Sequence, residues 1–132
     1  MRKIIITGGS GFIGTNLIEN IKESNDIINI DINSPKIEQH NIYWKNVDIT
    51  NFELLSTAVI SFNPDFVIHL AARTDLNGKK IEDYAANTLG VQNLLRVLDK
   101  CSNLKRVIFT SSMYVTIPGY KPKSFEDYKP HT

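Results

Sequence analysis

Uninterrupted apolar runs, spaced by amphipathic stretches, set the plan of this chain. Lys3 to Thr7 is apolar without alternation, the pattern of a central parallel strand covered on both faces. From Phe12 to about Glu23, Ile13, Leu17, Ile18 and Ile21 recur at helical spacing, and Asn25 and Asp26 end that helix. Ile27-Ile28-Asn29-Ile30-Asp31 reads as a second strand closed by an acid, followed by the loop Asn33-Ser34-Pro35-Lys36, which Pro35 keeps from being helical. A third strand is expected over Ile42 to Val47. Thr50 or Asn51 then caps a short helix through Leu54, Leu55, Ala58 and Val59, which Asn63-Pro64-Asp65 stops. Phe66 to Leu70 is a fourth buried strand. The longest helix is expected from about Ile81 to Cys101, with Tyr84, Val91, Leu95 and Leu98 as its apolar stripe, and Val107-Ile108-Phe109 is a fifth strand. Beyond Met113, Pro118, Gly119, Pro122 and Pro130 oppose regular structure, and Ser124 to Thr132 reads as loop.

Strands and helices in alternation predict an α/β domain over residues 1–132: a Rossmann-type, doubly wound parallel sheet with strand order 3-2-1-4-5. In such a sheet a ligand lies across the carboxyl ends of the first and fourth strands. At 132 residues and 42% hydrophobic content the chain can bury one sizeable core. A net charge of +1 with acids and bases interspersed argues against a nucleic-acid or anionic-membrane partner and favours a small molecule. The lone Cys101 reads as a small buried residue in a reducing compartment. No apolar run has the length of a membrane span, and a strand stands where a signal peptide would, so a soluble cytoplasmic protein is expected.

Chemistry concentrates in Thr7-Gly8-Gly9-Ser10-Gly11-Phe12-Ile13-Gly14, between the first strand and the first helix. Gly9, Gly11 and Gly14 give G-x-G-x-x-G, and Gly8, Gly11 and Gly14 give G-x-x-G-x-x-G. Glycines let the backbone turn sharply, and the following helix offers free N–H groups and the positive end of its dipole to a pyrophosphate. Asp31 lies about twenty residues further on, where a ribose-binding carboxylate is expected. An acceptor for both ribose hydroxyls would repel a 2′-phosphate, which selects NAD over NADP. The alternatives are a glycine-rich turn binding phosphate or nothing, and an Asp31 that only caps its loop. No Gly-Lys-Ser/Thr follows the glycines, which disfavours a Walker-type site.

Other residues fall on the same edge of the sheet. Asp48 could accept from an adenine amino group beside Ile49, or cap the helix that follows. Ala71-Ala72 are small where backbone must approach something closely, and Arg73 is either a phosphate ligand or a loop cation. Thr110-Ser111-Ser112 end the fifth strand, where a hydroxyl could orient a substrate carbinol or carbonyl. His69 reads as a satisfied core residue, and His40 and His131 as loop residues without partners at metal-ligand spacing, so no metal site is expected.

Taken together, Gly8-Gly9-Ser10-Gly11-Phe12-Ile13-Gly14, Asp31, Asp48-Ile49, His69-Leu70-Ala71-Ala72, Asn87-Thr88-Leu89-Gly90 and Phe109-Thr110-Ser111-Ser112 resemble the extended short-chain dehydrogenase/reductases. The likeness is nearest to the NAD-dependent epimerases and dehydratases of nucleotide sugars. It implies that Gly8, Gly11, Phe12, Ile13 and Gly14 cradle the pyrophosphate of NAD, that Asp31 holds the adenosine ribose, and that Asp48 and Ile49 hold the adenine. Leu70, Ala71, Ala72, Arg73 and Thr110 would line the other side, Asn87 would sit at the active-site end of its helix, and Ser112, in preference to Ser111, would be the catalytic serine.

The resemblance also implies a general base in a Tyr-x-x-x-Lys motif about two dozen residues after the serine. Tyr114 is followed four positions on by Pro118, Tyr120 by Ser124 and Tyr128 by Thr132. Asp127-Tyr128-Lys129-Pro130-His131-Thr132 resembles the approach to that motif. The expectation is therefore the cofactor-binding N-terminal portion of a longer epimerase or dehydratase, truncated before its base and its sugar-nucleotide segments. An exposed fifth strand and an unpartnered long helix would favour self-association.

Overall fold

The computed structural model describes residues 1–112 together with Val115, Ile117, Gly119, Lys121, Lys123, Ser124, Glu126 and Asp127. Tyr114, Tyr120, Tyr128 and His131 lie outside the described residues, as does most of the tail expected to be a loop from Ser124 onward. The elements run β1 (Arg2–Thr7), α1 (Phe12–Ile21), β2 (Asn25–Asp31), a 3-10 turn (Glu38–Ile42), β3 (Trp44–Asn46), α2 (Phe52–Phe62), β4 (Phe66–His69), a second 3-10 segment (Ile81–Asn87), α3 (Leu89–Leu98) and β5 (Arg106–Phe109). The five strands form one sheet in the order β3-β2-β1-β4-β5, as expected, and every pairing is parallel.

Alternation along β1 divides the core. Ile5 faces Ile30, Leu55, Val59, Val67, Leu94 and Val97, while Ile4 and Ile6 face Ile18 and Ile27. Helices α2 and α3 supply the first layer and α1 the second. Strand β5 pairs only with β4 among the described residues, leaving Ile108 50% and Phe109 42% exposed.

Several boundaries differ from expectation. Asn25 and Asp26, expected to end the first helix, already pair with Arg2 and Lys3 in β2. The third strand shrinks to Trp44–Asn46 because Ile42 belongs to the preceding 3-10 turn. Asn51 and not Thr50 caps α2, its side chain accepting from Leu54 N.

The long helix expected from Ile81 to Cys101 is interrupted. Residues Ile81–Asn87 form 3-10 turns with Tyr84 off helical geometry, and α3 proper begins at Leu89. The Arg73 guanidinium occupies the Asp83 carbonyl at 2.7 Å, the acceptor that an α-helix would give to Asn87 N. The buried stripe of α3 is accordingly Asn93, Leu94, Val97 and Leu98, and Leu95, expected inside, is 51% exposed.

Candidate functional site

The carboxyl ends of β1, β2 and β4 open on a cavity of about 1010 Å³. Its floor is the turn from β1 into α1. Gly8 has φ +71°, and a Cβ there would stand 2.6 Å from Ala71 N, so glycine lets the chain reverse beside the end of β4. At Gly14 a Cβ would meet Gly9 Cα at 2.4 Å, so α1 packs directly on the turn that precedes it. The cap of α1 is Gly11, which offers no side-chain acceptor to the N–H groups of the first helical turn, and Gly11 to Gly14 line the cavity.

Thr7 and His69 brace this floor from below. Thr7 Oγ1 lies 2.6 Å from His69 Nδ1 and accepts from Ala71 N at 3.3 Å. His69 is buried edge-on to Phe109, and burial holds its imidazole below the ordinary pKa. It is a satisfied core histidine.

At the far wall, Asp31 is held by two backbone donors: Ser10 N to Oδ2 at 3.0 Å and Asn33 N to Oδ1 at 2.9 Å. Each oxygen keeps acceptor capacity for a further hydroxyl. Asp48 also faces the cavity, and its Oδ1 accepts from both the N–H and the hydroxyl of Thr50. Ile49 is fixed from behind: Asn93, buried on α3, donates to the carbonyls of Ile49 and Thr50 at 3.1 and 2.9 Å, and Gly90 lets the helix approach the Ile49 side chain.

The opposite wall is Leu70 to Thr74 with Asp83, Ala85 and Ala86. Arg73 reaches this wall with its guanidinium already engaged. It pairs bidentately with Asp75 at 2.7 and 3.0 Å, donates to Asp83 O and lies 5.0 Å above the Tyr84 ring. The guanidinium drops the Asp75 carboxyl to about 2. Arg73 thus lines the cavity with its guanidinium internally paired.

Of the residues singled out in the sequence, Gly8, Gly11, Phe12, Ile13, Gly14, Asp31, Asp48, Ile49, Leu70, Ala71, Ala72 and Arg73 line the cavity. Asn87, Thr110 and Ser112 do not. The Asn87 amide is bonded to the backbone of Arg73, Thr110 Oγ1 donates to His69 O at 2.9 Å, and Ser112 is exposed just beyond β5. Ile32, Lys36 and Val47 also line the cavity and were not singled out. His40, expected in a loop, is buried, with Nε2 2.6 Å from Glu19 Oε1. Among the described residues no group of three or more His, Cys, Asp or Glu could hold a metal ion, and no helix is long and apolar enough to cross a membrane.

The cavity suits a dinucleotide on this chain's own features: a glycine cradle that a Cβ would fill, uncapped helix N–H groups for a diphosphate, and an acceptor carboxylate across from them. A parallel 3-2-1-4-5 sheet with its cavity at the strand ends defines a Rossmann-type α/β domain. The chain belongs to the NAD dependent epimerase/dehydratase family, whose model matches residues 4–131.

It is 38% identical over 95 residues to a GDP-6-deoxy-D-talose 4-dehydrogenase of Aggregatibacter actinomycetemcomitans, a match covering 71% of this chain and 29% of that protein. Its backbone superposes on the Bordetella bronchiseptica enzyme WbmG in complex with NAD, with a TM-score of 0.75, 29% identity and coverage of 86% of this chain and 38% of that one. The UDP-glucose 4-epimerase of Bifidobacterium longum, solved with NAD+ and UDP, gives a TM-score of 0.78 at 27% identity, covering 98% of this chain and 42% of that one. The chain therefore spans less than half the length of each of these proteins.

Proposed function

We propose that this chain is an NAD-binding unit that serves a nucleotide-sugar epimerase or dehydratase. The observation that carries the reading is the convergence of the Gly8–Gly14 turn, Asp31 and Ala71-Ala72 on one cavity at the strand ends. In that role the first-turn N–H groups of α1 receive the diphosphate, and the turn glycines keep side chains out of its way. Asp31, already oriented by Ser10 N and Asn33 N, accepts from the adenosine ribose hydroxyls and repels a 2′-phosphate. Asp48, Ile32 and Ile49 border the adenine end. Bound NAD would supply a hydride acceptor and donor for a sugar carbon.

Ser112 is proposed to align the sugar hydroxyl and Asn87 to act by holding the Arg73 edge of the cavity. No tyrosine of these 132 residues is followed four positions on by a lysine, so no residue here is assigned the proton-abstracting role. The chain alone should bind NAD and turn nothing over, and the sugar-nucleotide specificity and compartment of the whole protein, expected to be cytoplasmic, belong to the same proposal. Detectable epimerisation of UDP-glucose by this chain would overturn the assignment of the base.

A second reading is a non-catalytic NAD-binding module with no affinity for nucleotide sugars. Calorimetric titration with NAD, then with UDP-glucose in the presence of NAD, separates the two. Self-association through the exposed β5 edge is proposed alongside either, since Ile108 and Phe109 lie on a strand paired on one side only among the described residues.

A further inference from the structure

Asn29 is a polar residue in the middle of a core strand. It lies on β2, fully buried, on the face turned toward Ile4, Ile6 and Ile18, where an aliphatic side chain would satisfy packing. Its amide nitrogen donates to Ser10 Oγ at 3.1 Å, and Ser10 Oγ donates to the Asn33 carbonyl at 2.8 Å. A serine hydroxyl has one proton. With that proton on Asn33 O, the group facing Ser10 from Asn29 must be a donor, which fixes the amide with Nδ2 toward Ser10 and Oδ1 toward Gly9.

Among the described residues Asn29 Oδ1 has no hydrogen-bond partner in this position, and a Cβ on Gly9 would stand 2.4 Å from it. An unpaired buried carbonyl oxygen carries a desolvation cost that an apolar side chain would avoid. The strand carries the amide despite that cost, and among the described residues the one group its side chain bonds is the Ser10 hydroxyl.

Ser10 and Asn33 are the same two residues whose backbone N–H groups hold the two oxygens of Asp31. The Ser10 hydroxyl ties them together from below, and Asn29 orients the hydroxyl. We infer that Asn29 is a positioning residue for cofactor selection: through the chain Asn29–Ser10–Asn33 it fixes the Asp31 carboxylate in the orientation that accepts from a ribose 2′-hydroxyl and excludes a 2′-phosphate. The inference rests on the NAD reading above and assigns its selectivity to a residue that never touches the ligand.

The test compares Kd for NAD and for NADP, by calorimetry on the full chain, in the unsubstituted protein, Asn29→Val, Ser10→Ala and the double variant. Valine suits a strand and lacks both amide atoms. In Asn29→Val the affinity for NAD should fall about tenfold, the effect of one lost hydrogen bond, while NADP binding holds or improves, so the NAD-to-NADP ratio drops by at least that factor. Ser10→Ala breaks the same chain at its middle and should show the same drop; it also keeps the test alive if Asn29→Val does not fold. The double variant should be no worse than the worse single.

A merely structural role would weaken both cofactors in proportion and leave their ratio unchanged, and that result overturns the inference, as do additive losses in the double variant. If the unsubstituted chain binds neither cofactor, the NAD reading itself falls and the inference with it. If it binds NAD and the variants keep its ratio, only the role given to Asn29 falls.

Discussion

Asn87 grips the backbone of Arg73 at both ends: its Oδ1 accepts from Arg73 N at 2.7 Å and its Nδ2 donates to Arg73 O at 3.0 Å. This paired contact mimics one rung of a sheet and fastens the loop after β4 to the segment that leads into α3. Asn87→Ala removes both bonds and should lower stability by about 1–2 kcal/mol. Its urea midpoint checks this, and limited proteolysis should show faster cleavage between residues 74 and 80.

The Gly8 turn depends on a conformation and a contact that other residues cannot share. Gly8→Ala places a Cβ 2.6 Å from Ala71 N at φ +71°. The substitution should cost about 3 kcal/mol, from left-handed strain and displacement of the Ala71 backbone together. Equilibrium denaturation measures it, and a loss below 1 kcal/mol would mean that the turn relaxes without moving β4.

Acid should open the Arg73–Asp75 latch. Asp75 titrates at about 2 in the folded chain, below its ordinary 3.8, first because of the Arg73 guanidinium and then because of Asn77 N. A lowered folded value means that the contribution is complete above about pH 4 and is lost as pH falls toward 2. The stability difference between the unsubstituted chain and Asp75→Asn should be constant from pH 5 to 7 and shrink below pH 4. A difference that grows on acidification contradicts the pairing.

How much of this was legible in the sequence depends on the range of the forces involved. The strands could be read because Ile4-Ile5-Ile6, Ile27-Ile28 and Val67-Ile68 carry their burial in plain apolar runs, their order because strands and helices alternate, and the Gly8–Gly14 turn because its glycines answer a local backbone requirement. The break at Thr88 was not legible. It follows from Arg73 taking the Asp83 carbonyl and Asn87 turning to a residue fourteen positions back, and neither leaves a mark on helical periodicity. Asn29 and Asn93 did leave a signal, a polar side chain amid apolar positions, but their partners Ser10 and Ile49 are set by the tertiary fold alone.

Strand β5 offers the clearest handle on assembly. Ile108→Lys places a charge on an exposed edge strand and should reduce concentration-dependent growth of the scattered mass without lowering NAD affinity. A monodisperse monomer of the unsubstituted chain at high concentration would remove the reason for the substitution.

The central claim is that the cavity at the carboxyl ends of β1, β2 and β4 takes NAD with Asp31 on its ribose. Calorimetric titration of NAD into the unsubstituted chain and into Asp31→Ala tests it most directly. Saturable one-to-one binding that weakens at least tenfold in Asp31→Ala, a loss of about 1.4 kcal/mol or more, is the predicted result. No heat of binding from the unsubstituted chain, or equal affinity in both, would contradict it.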